Sequence, residues 1–432
     1  MPEPKHTSIR LVGLASLVGT TIEWYDFFLY GTAAALVLNK VFFPEFDSFT
    51  GTLSSLATYS VAFLARPLGG TIIGHYGDRI GRKSMLVLTL MIMGFSTFLI
   101  GLLPTYAQLG SMAAVLLVLL RVGQGFGVGG EWGGAVLMAV EHAPPGKRGF
   151  YGSWPQIGVP AGLLLSTLVY IPFSSLPQEQ FLSWGWRVPF LLSIVLVGVG
   201  LLIRVRIIET PAFSQIKQKG HEARQPILEV LRHYPKEVLL VMGARLAENG
   251  AFYLYTVFVL IYGTQHVHMD RNIILDGILI AAALELVAIP LFGALSDIVG
   301  RRPVYLFGSI FTALWAYPLF RMLDTASPTL VWIGLVLALA VGHAAMYAPQ
   351  GAFFSELFGA RVRYSGASLG AQLASVLAGG LSPIIATTFL KYGYGRGALS
   401  AYIIGMAVIT TISVAIATET VRHDIEQAGR GN

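Results

Sequence analysis

Long apolar runs, each able to form one membrane crossing, follow one another along nearly the whole chain. A helix needs roughly 20 mostly apolar residues to cross the hydrocarbon core of a bilayer. The first six runs are Gly13–Leu38, Ser55–Tyr76, Met85–Leu103, Met112–Val140, Gly152–Pro172 and Pro189–Ile207. The next six are Val238–Tyr262, Leu275–Ser296, Val304–Met322, Leu330–Phe354, Ser365–Leu390 and Ala398–Thr418. The pattern predicts an all-α membrane protein with twelve transmembrane helices.

One long polar segment divides these runs into two sets of six. It extends roughly from Glu209 to Lys236 and is rich in Lys, Arg, Glu and Gln. Such a segment is expected between the two halves of a helical bundle. We therefore predict an N-terminal six-helix bundle over 1–208, a cytoplasmic linker over 209–236 and a C-terminal six-helix bundle over 237–432.

A polar motif after the second run recurs after the eighth run. The first copy reads GHYGDRIGRK over residues 74–83, and the second reads GALSDIVGRR over residues 293–302. This internal repeat predicts two pseudo-symmetric halves. Three of its glycines, Gly74, Gly81 and Gly300, are expected to permit tight turns.

The composition fits a lipid environment. Hydrophobic residues make up 54% of the chain and charged residues 12%, with a mean hydropathy of +0.67. Soluble domains carry about 25% charged residues. The chain contains no cysteine, which excludes disulfides, thiol nucleophiles and thiolate metal sites.

The positive charge of the chain reports its topology. The formal net charge is +6, but the Lys and Arg residues stand in short clusters between apolar runs, which does not indicate a nucleic-acid partner. With the N-terminus placed inside, most of the 29 Lys and Arg residues fall in the inner connections. The positive-inside rule therefore predicts that both termini are cytoplasmic.

Three charged residues in two of the runs are candidates for proton and solute binding. Glu23 and Asp26 are three positions apart in the first run, so they share one helical face near mid-span. Arg121 lies about 14 Å from the outer end of the fourth run, at 1.5 Å per residue. An aspartate beside an arginine stays ionised, whereas one without that partner in a dry cavity binds a proton more readily. We predict that Asp26 carries the coupling proton and that Arg121 binds the solute.

Structural alternatives remain open for the same region. Asp26 and Arg121 can form a permanent ion pair that only fixes helix packing. Glu23 is either a proton relay or a paired structural acid. Gln124, in the same helical sector as Arg121, is either a solute ligand or an interhelical hydrogen-bond partner. Glu131 lies nearer the cytoplasm and is more typical of a gate or a packing contact.

Small residues in the fourth run predict a close helix contact. Gly125, Gly129 and Gly133 recur every four residues beside the polar sector. Such a stripe lets a neighbouring helix approach closely. The polar sector is then expected to face a central cavity.

Buried arginines favour an anionic solute. Arg245 and Asn249 in the seventh run are predicted solute ligands, although Arg245 and Glu248 are three positions apart and can pair with each other. Arg66 lies within the second run. A planar guanidinium binds a carboxylate bidentately, so these arginines together with Arg121 predict a carboxylate as the transported partner.

Further polar and aromatic residues fall at similar depth. Glu285 and His343 lie near the middle of the eighth and tenth runs, either in the pathway or as satisfied packing residues. Trp24 and Tyr30 are predicted to line the solute site, with simple packing as the alternative. The same two interpretations apply to Tyr25, Tyr253 and Tyr255.

The motif over residues 74–83 resembles the signature of the major facilitator superfamily. Shorter motifs are similar to those of its metabolite:proton symporter family, namely EWYDF over 23–27, RVGQG over 121–125, GGEW over 129–132 and WGWRVPF over 184–190. The resemblance covers most of the chain, although Thr210 stands where relatives more often carry Ser. It implies a monomer in the bacterial inner membrane that carries citrate, dicarboxylates, oxoglutarate, shikimate or a zwitterionic osmolyte.

The resemblance also implies a cytoplasmic latch that is closed when the solute site faces outward. Asp78 and Asp297 are expected to accept hydrogen bonds from a facing helix N-terminus. The motif arginines Arg82 and Arg301 are expected to pair with carboxylates at the ends of the fourth and tenth helices. The predicted cytoplasmic gate consists of Gly74, Asp78, Arg79, Arg82, Glu141, Arg148, Asp297, Arg301, Glu356 and Arg363.

The sequence carries no Walker loop, dinucleotide-binding GxGxxG or HExxH motif. We therefore expect no enzyme activity and no cofactor other than a coupling proton. The leading hypothesis is proton-coupled import of a small organic acid by alternating access between the two halves. Two alternatives remain, a proton-driven exporter or antiporter of the same fold and a solute sensor that does not translocate.

Overall fold

The computed structural model describes residues 9–80, 82–205, 226–359 and 362–421. Within these ranges the backbone forms twelve long helices, as the apolar runs predict. They are α1 (Ile9–Leu36), α2 (Ser48–Ile80), α3 (Arg82–Leu102), α4 (Ser111–His142), α5 (Arg148–Ser174), α6 (Arg187–Val205), α7 (Pro235–Tyr253, extended by wider turns to His266), α8 (Arg271–Val299), α9 (Arg301–Leu323), α10 (Pro328–Glu356), α11 (Arg363–Lys391) and α12 (Gly395–Ile416). Short helices occupy the connections at Leu38–Phe42, Tyr106–Leu109, Gln178–Gln180 and Pro226–His233.

Most of these helices are apolar enough to cross a bilayer on their own. Ten of them meet this condition of length and composition within the described residues. The two exceptions are α1 and α7. Both carry buried acidic residues in their middle portions, namely Glu23 and Asp26 in α1 and Glu248 in α7. These buried acids lower the hydropathy of the two helices.

The helix contacts repeat in the two halves. In the first half α1 packs on α5, α2 on α4 and α3 on α6; in the second half α7 packs on α11, α8 on α10 and α9 on α12. The halves meet through the pairs α2–α11 and α5–α8, which are equivalent under the same symmetry. The arrangement is two pseudo-symmetric six-helix bundles, which confirms the predicted fold class. Residues 206–225 of the predicted linker lie outside the described residues, so the bundle boundaries stay a prediction.

The glycines of α4 let its backbone contact that of α2. A Cβ atom on Gly125 would collide with the carbonyl oxygen of Ala62, and one on Gly129 would collide with that of Arg66. Larger residues would push the two helices apart. This close crossing brings Arg66 on α2 and Arg121 on α4 into the same central region.

Wider, π-helical turns interrupt three helices of the second half. They span Leu254–Phe258 in α7, Leu337–His343 in α10 and Val376–Gly380 in α11. An inserted π turn rotates the residues that follow it and is common at functional sites. Here the turns follow Tyr253, end at His343 and end at Gly380, and all three of these residues are buried.

Candidate functional site

Arg121 lies at the centre of the first half and is fully buried. Its Nη1 donates to Gln124 Oε1 at 2.6 Å and its Nη2 donates to the carbonyl of Tyr59 at 3.0 Å. The guanidinium carbon stands 3.8 Å from the centre of the Tyr30 ring, whose hydroxyl lies 2.5 Å from Thr58 Oγ1. Backbone, amide and ring thus hold this cation in place.

The ion pair between Asp26 and Arg121 that the sequence allowed is not formed in this structure. Asp26 is fully buried, and neither of its carboxylate oxygens has a hydrogen-bond partner among the described residues. Thr97 faces Asp26 and also accepts a 2.6 Å hydrogen bond from Gln124. The donors of Arg121 bind Gln124 and a backbone carbonyl of α2. Its connection to Asp26 therefore runs through Gln124 and Thr97.

Arg66 lies in an aromatic enclosure at the interface between the halves. Its guanidinium carbon is 4.2 Å from the ring centre of Phe63, 4.3 Å from that of Phe27 and 5.7 Å from that of Trp24. The side chain is buried, and its Nε and Nη2 atoms have no hydrogen-bond partner among the described residues. Arg66 is therefore a buried cation whose Nε and Nη2 donors lack a partner, and the Tyr253 hydroxyl of the second half faces its guanidinium.

Unpaired polar atoms from both halves surround the same place. The hydroxyls of Tyr59 and Tyr253 and the Oδ1 atom of Asn249 are buried without hydrogen-bond partners among the described residues. The rings of Tyr59 and Tyr253 are 6.0 Å apart, across the boundary between α2 and α7. Buried polar groups without partners are rare in proteins and call for an explanation.

Arg245 on α7 connects the second half to the first. Its Nε lies 3.8 Å from Glu248 Oε2, so the pairing within α7 that the spacing allowed is present. Its Nη1 lies 3.5 Å from Gln350 Oε1, and its guanidinium carbon is 5.0 Å from the ring centre of Trp132 on α4. Arg245 is therefore more completely paired than Arg66.

A buried polar cluster lies next to Arg245. His343 on α10 contacts two carboxylates, with Nε2 3.2 Å from Glu248 Oε1 and Nδ1 hydrogen-bonded to Glu285 Oε1. Gln350 donates to Glu248 Oε2 at 2.9 Å and to the Tyr305 hydroxyl at 2.7 Å. Neither mid-depth residue, Glu285 or His343, is an isolated packing residue.

The remaining predicted site residues have separate positions. Glu23 is buried one turn before Asp26, and Trp24 packs 5.2 Å from the ring of Phe28.

Glu131 accepts a 3.3 Å hydrogen bond from Thr89 on α3, which fits the packing interpretation. The hydroxyl of Tyr25 donates to the carbonyl of Pro189 at 2.8 Å, while Tyr255 is buried in the packed region.

Asp297 joins the two halves at the end of the bundle that carries the repeated motif. Its Oδ1 accepts the backbone N–H of Gly149 and its Oδ2 accepts that of Phe150, each at 2.8 Å. These N–H groups begin α5, and a helix N-terminus favours a negative charge. Arg301 Nη1 donates to the same carboxylate at 2.7 Å.

Two further arginines reinforce this end of the molecule. Arg301 lies 3.4 Å from Glu356, and Arg148 faces the same carboxylate. Arg363 at the start of α11 lies 3.7 Å from Glu141 at the end of α4, so this ion pair also crosses between the halves. We call the contacts of Asp297, Arg301, Glu356, Arg363 and Glu141 the latch.

The motif glycines have different positions. Gly300 ends α8 with a φ of +106°, as expected for a tight turn. Gly74, by contrast, is not in a turn: it lies inside α2, where a Cβ would stand 3.0 Å from the ring of Tyr364 on α11. Its small size serves contact between the halves. Gly81 and the side chains of Asp78, Arg79 and Arg82 lie outside the described residues.

Known proteins share both the sequence and the fold. Residues 11–238 match the family described as "Sugar (and other) transporter". The chain is 42% identical over 417 residues to the shikimate transporter of Escherichia coli K12, covering 96% of this chain and 95% of the relative. It is also 42% identical over 416 residues to the inner membrane metabolite transport protein YhjE of the same strain, covering 95% and 94%. The chain belongs to the major facilitator superfamily of transporters.

A solved structure agrees with this assignment. The structure of the proton:xylose symporter XylE, a protein of E. coli, bound to 6-bromo-6-deoxy-D-glucose aligns with a TM-score of 0.76. The alignment covers 95% of this chain and 96% of XylE at 15% sequence identity. At this identity the likeness shows the fold alone. This transporter is accordingly a multi-pass protein of the bacterial inner membrane.

The transporter is closed on both sides of the central residues. At one end the latch joins the halves. Towards the other end Arg271 of α8 donates to the carbonyl of Ser174 at the end of α5, and Ser60 of α2 donates to the carbonyl of Gly380 on α11. The two halves are thus in contact at both ends, and we call this arrangement the occluded form.

Sequence reasoning did not assign Arg66 and Tyr59 to the solute site. Arg66 was recognised only as one of several buried arginines, because nothing in its immediate sequence shows that its donors are unused. Tyr59 occupies an ordinary apolar stretch of α2. Their importance follows from the contact of α2 with α1 and α7, which no local pattern reveals.

Proposed function

We propose that this transporter is a proton-coupled symporter that imports a small organic acid by alternating access. The observation that carries this proposal is the state of Arg66, a buried cation whose Nε and Nη2 atoms have no partner among the described residues. These two atoms lie on one edge of the guanidinium, which is the edge that grips a carboxylate through two parallel hydrogen bonds. An anion bound there satisfies both donors and the charge.

The cost of leaving Arg66 unpaired supports an anionic solute. A buried charge without its partner destabilises a protein by about 3–5 kcal/mol. Cation–π contacts with Phe63, Phe27 and Trp24 offset part of this cost, about 2 kcal/mol in a desolvated site. The carboxylate of a bound solute would offset the rest of this cost. Tyr59, Tyr253 and Asn249 add polar groups that can bind the hydroxyl or carbonyl groups of an organic acid.

The proton role falls to Asp26. A carboxylate that lacks hydrogen bonds in a dry interior is costly, whereas the neutral acid is much cheaper to bury. In the occluded form Asp26 therefore carries its proton, and it releases the proton when one half moves and admits water. Arg121 stabilises the ionised acid in the open form by reaching it through Gln124 and Thr97.

The similarity to a shikimate transporter supports the same solute class, since shikimate is itself a carboxylate. A zwitterion also presents a carboxylate to Arg66, but it adds a cationic group. We favour a net anion because Arg66, Arg121 and Arg245 are all buried cations.

Uptake into proteoliposomes tests this proposal. Purified transporter is given an inward proton gradient and labelled shikimate, citrate, oxoglutarate, proline or betaine. We expect accumulation of an acid by the wild type, loss of affinity with Arg66→Gln, and loss of accumulation with Asp26→Asn. Arg396→Gln is the matched control, because Arg396 pairs with Asp324 at the surface with a side chain 43% exposed.

Accumulation of proline or betaine in preference to every acid would refute the anionic solute. Unchanged acid affinity in the Arg66→Gln variant would refute the role of Arg66. Binding of an acid without accumulation would refute symport.

A further inference from the structure

His343 is the centre of a buried group that links three helices. Its two ring nitrogens contact different carboxylates, Glu248 on α7 through Nε2 and Glu285 on α8 through Nδ1. All three side chains are at most 2% exposed. A histidine between two buried acids restricts the possible protonation states more than a single hydrogen bond does.

The geometry fixes a minimum number of protons. Neutral imidazole has one N–H donor and one bare nitrogen, and an ionised carboxylate can only accept. If both acids were ionised and the ring were neutral, one nitrogen lone pair would face a carboxylate lone pair. The two contacts of His343 therefore require one more proton, either as imidazolium or on one of the two carboxyl groups.

The surrounding charges balance only when that proton is present. Arg245 on α7 contributes one positive charge beside Glu248. With the extra proton, His343, Glu248 and Glu285 together carry one negative charge, which Arg245 neutralises. Without it the same residues leave an uncompensated negative charge in a dry site, which costs several kcal/mol. Proton release therefore requires the site to open to water.

Other titratable groups facing this cluster are neutral hydroxyls or lie in the first half. Tyr305 on α9 reaches Glu248 through Gln350, and the ring of Tyr347 on α10 stacks 5.0 Å from that of His343. Glu23 on α1 faces Tyr347. No lysine and no arginine other than Arg245 contacts the cluster among the described residues.

The cluster also contacts the moving interface. The ring of His343 lies 4.4 Å from that of Phe252, which packs 5.6 Å from Phe28 on α1. The carbonyl of Tyr347 accepts a 3.2 Å hydrogen bond from Gln156 on α5. Rocking of the halves breaks these contacts and exposes the cluster to water.

We propose that Glu248, His343 and Glu285 bind a second coupling proton, separate from the one assigned to Asp26. This inference rests on the proposed proton-coupled transport and extends it. In the occluded state one proton joins the imidazole to the two carboxylates. When the site opens, the proton passes from a ring nitrogen to water and leaves neutral imidazole and two ionised acids, with Arg245 as their counter-charge.

Paired transport assays test the inference. His343→Gln and Glu285→Gln are compared with the wild type in gradient-driven uptake and in counterflow, in which labelled solute exchanges with unlabelled solute at equal pH. We expect both variants to accumulate less solute than the wild type, with one proton fewer per solute, because coupling through Asp26 remains. Both should keep counterflow, because counterflow needs no net proton movement. The control is His266→Gln, which alters an exposed histidine at the end of α7.

Accumulation by both variants at the wild-type level, with the same number of protons per solute, would overturn the second proton while leaving symport through Asp26 intact. Infrared difference spectra between low and high pH provide a readout that needs no transported solute. The wild type should show a carboxyl or imidazolium band that Glu285→Gln and His343→Gln each remove. If the wild type lacks this band, the inference fails whatever the transport activity.

Discussion

Asp297→Asn is expected to weaken the latch and to raise the fraction of open transporter. The carboxylate accepts the N–H groups of Gly149 and Phe150 and pairs with Arg301. An amide of the same shape has one accepting oxygen, so its NH₂ group would face one of the two N–H groups. The variant therefore loses a charge-assisted hydrogen bond and the charge opposite Arg301.

The magnitude follows from these contacts. A hydrogen bond to a charged group contributes about 1.5–3 kcal/mol. If Asp297→Asn destabilises the closed form by about 2 kcal/mol, the ratio of open to closed transporter should rise by about 30-fold, because about 1.4 kcal/mol corresponds to a tenfold change in an equilibrium constant. Because Arg363 and Glu141 still join the halves, the latch weakens but does not disappear.

The chain has no cysteine, which makes a single reporter thiol straightforward to introduce. Ser153→Cys places one at a fully buried position of α5 that packs against Gly293 of α8. Its rate of labelling by a soluble maleimide in detergent should rise by the same factor when Asp297→Asn is added. Asp324→Asn is the control, because Asp324 pairs with Arg396 at the surface. Equal labelling rates with and without Asp297→Asn would refute the latch assignment.

Two further predictions concern packing and solute binding. Gly129→Ala should destabilise the transporter by about 1–3 kcal/mol, because the added Cβ meets the Arg66 carbonyl. Thermal unfolding in detergent measures this change. The control is Gly405→Ala, whose Cβ meets nothing within 4 Å and which should leave the stability unchanged or raised. A melting temperature unaffected by Gly129→Ala would contradict the close α2–α4 crossing. Tyr59→Phe should keep the wild-type melting temperature, since its hydroxyl has no hydrogen-bond partner, and should raise the KM for the acid. An unchanged KM would remove Tyr59 from the solute site.

The helices followed from the apolar pattern because hydrophobic length directly reports membrane depth. The predicted run Met112–Val140 lies within α4 (Ser111–His142). The run Ser55–Tyr76 was too short, since α2 spans Ser48–Ile80. Hydropathy identifies the part of a helix in hydrocarbon, whereas polar residues continue the helix beyond it.

Side-chain partners were harder to predict than helices. Arg121 was considered as a partner of Asp26, but its donors go to Tyr59 and Gln124 instead. Which group a long side chain reaches depends on the rotation and crossing of neighbouring helices, which spacing within one helix does not encode. The contacts of His343 with two other helices also depend on the π turn that ends at that residue.

The pairing of Arg245 with Glu248 shows the opposite case. These residues are three positions apart in a single helix, so a local rule predicted the contact that the structure contains. The unused donors of Arg66 depend on α1, α2 and α7 together. Contacts within one helix can therefore be predicted from the sequence, whereas contacts between helices can be identified only from the folded structure.

Coupled proton entry is the most direct test of the central claim. Proteoliposomes containing a trapped pH dye, with no initial pH gradient, receive shikimate or another acid found to be transported on the outside. Symport predicts that the interior becomes acidic as the acid enters. This acidification should be lost in Asp26→Asn vesicles and absent from protein-free vesicles. Solute entry without acidification, or with the interior turning alkaline, would contradict proton-coupled import and indicate uncoupled transport or proton antiport.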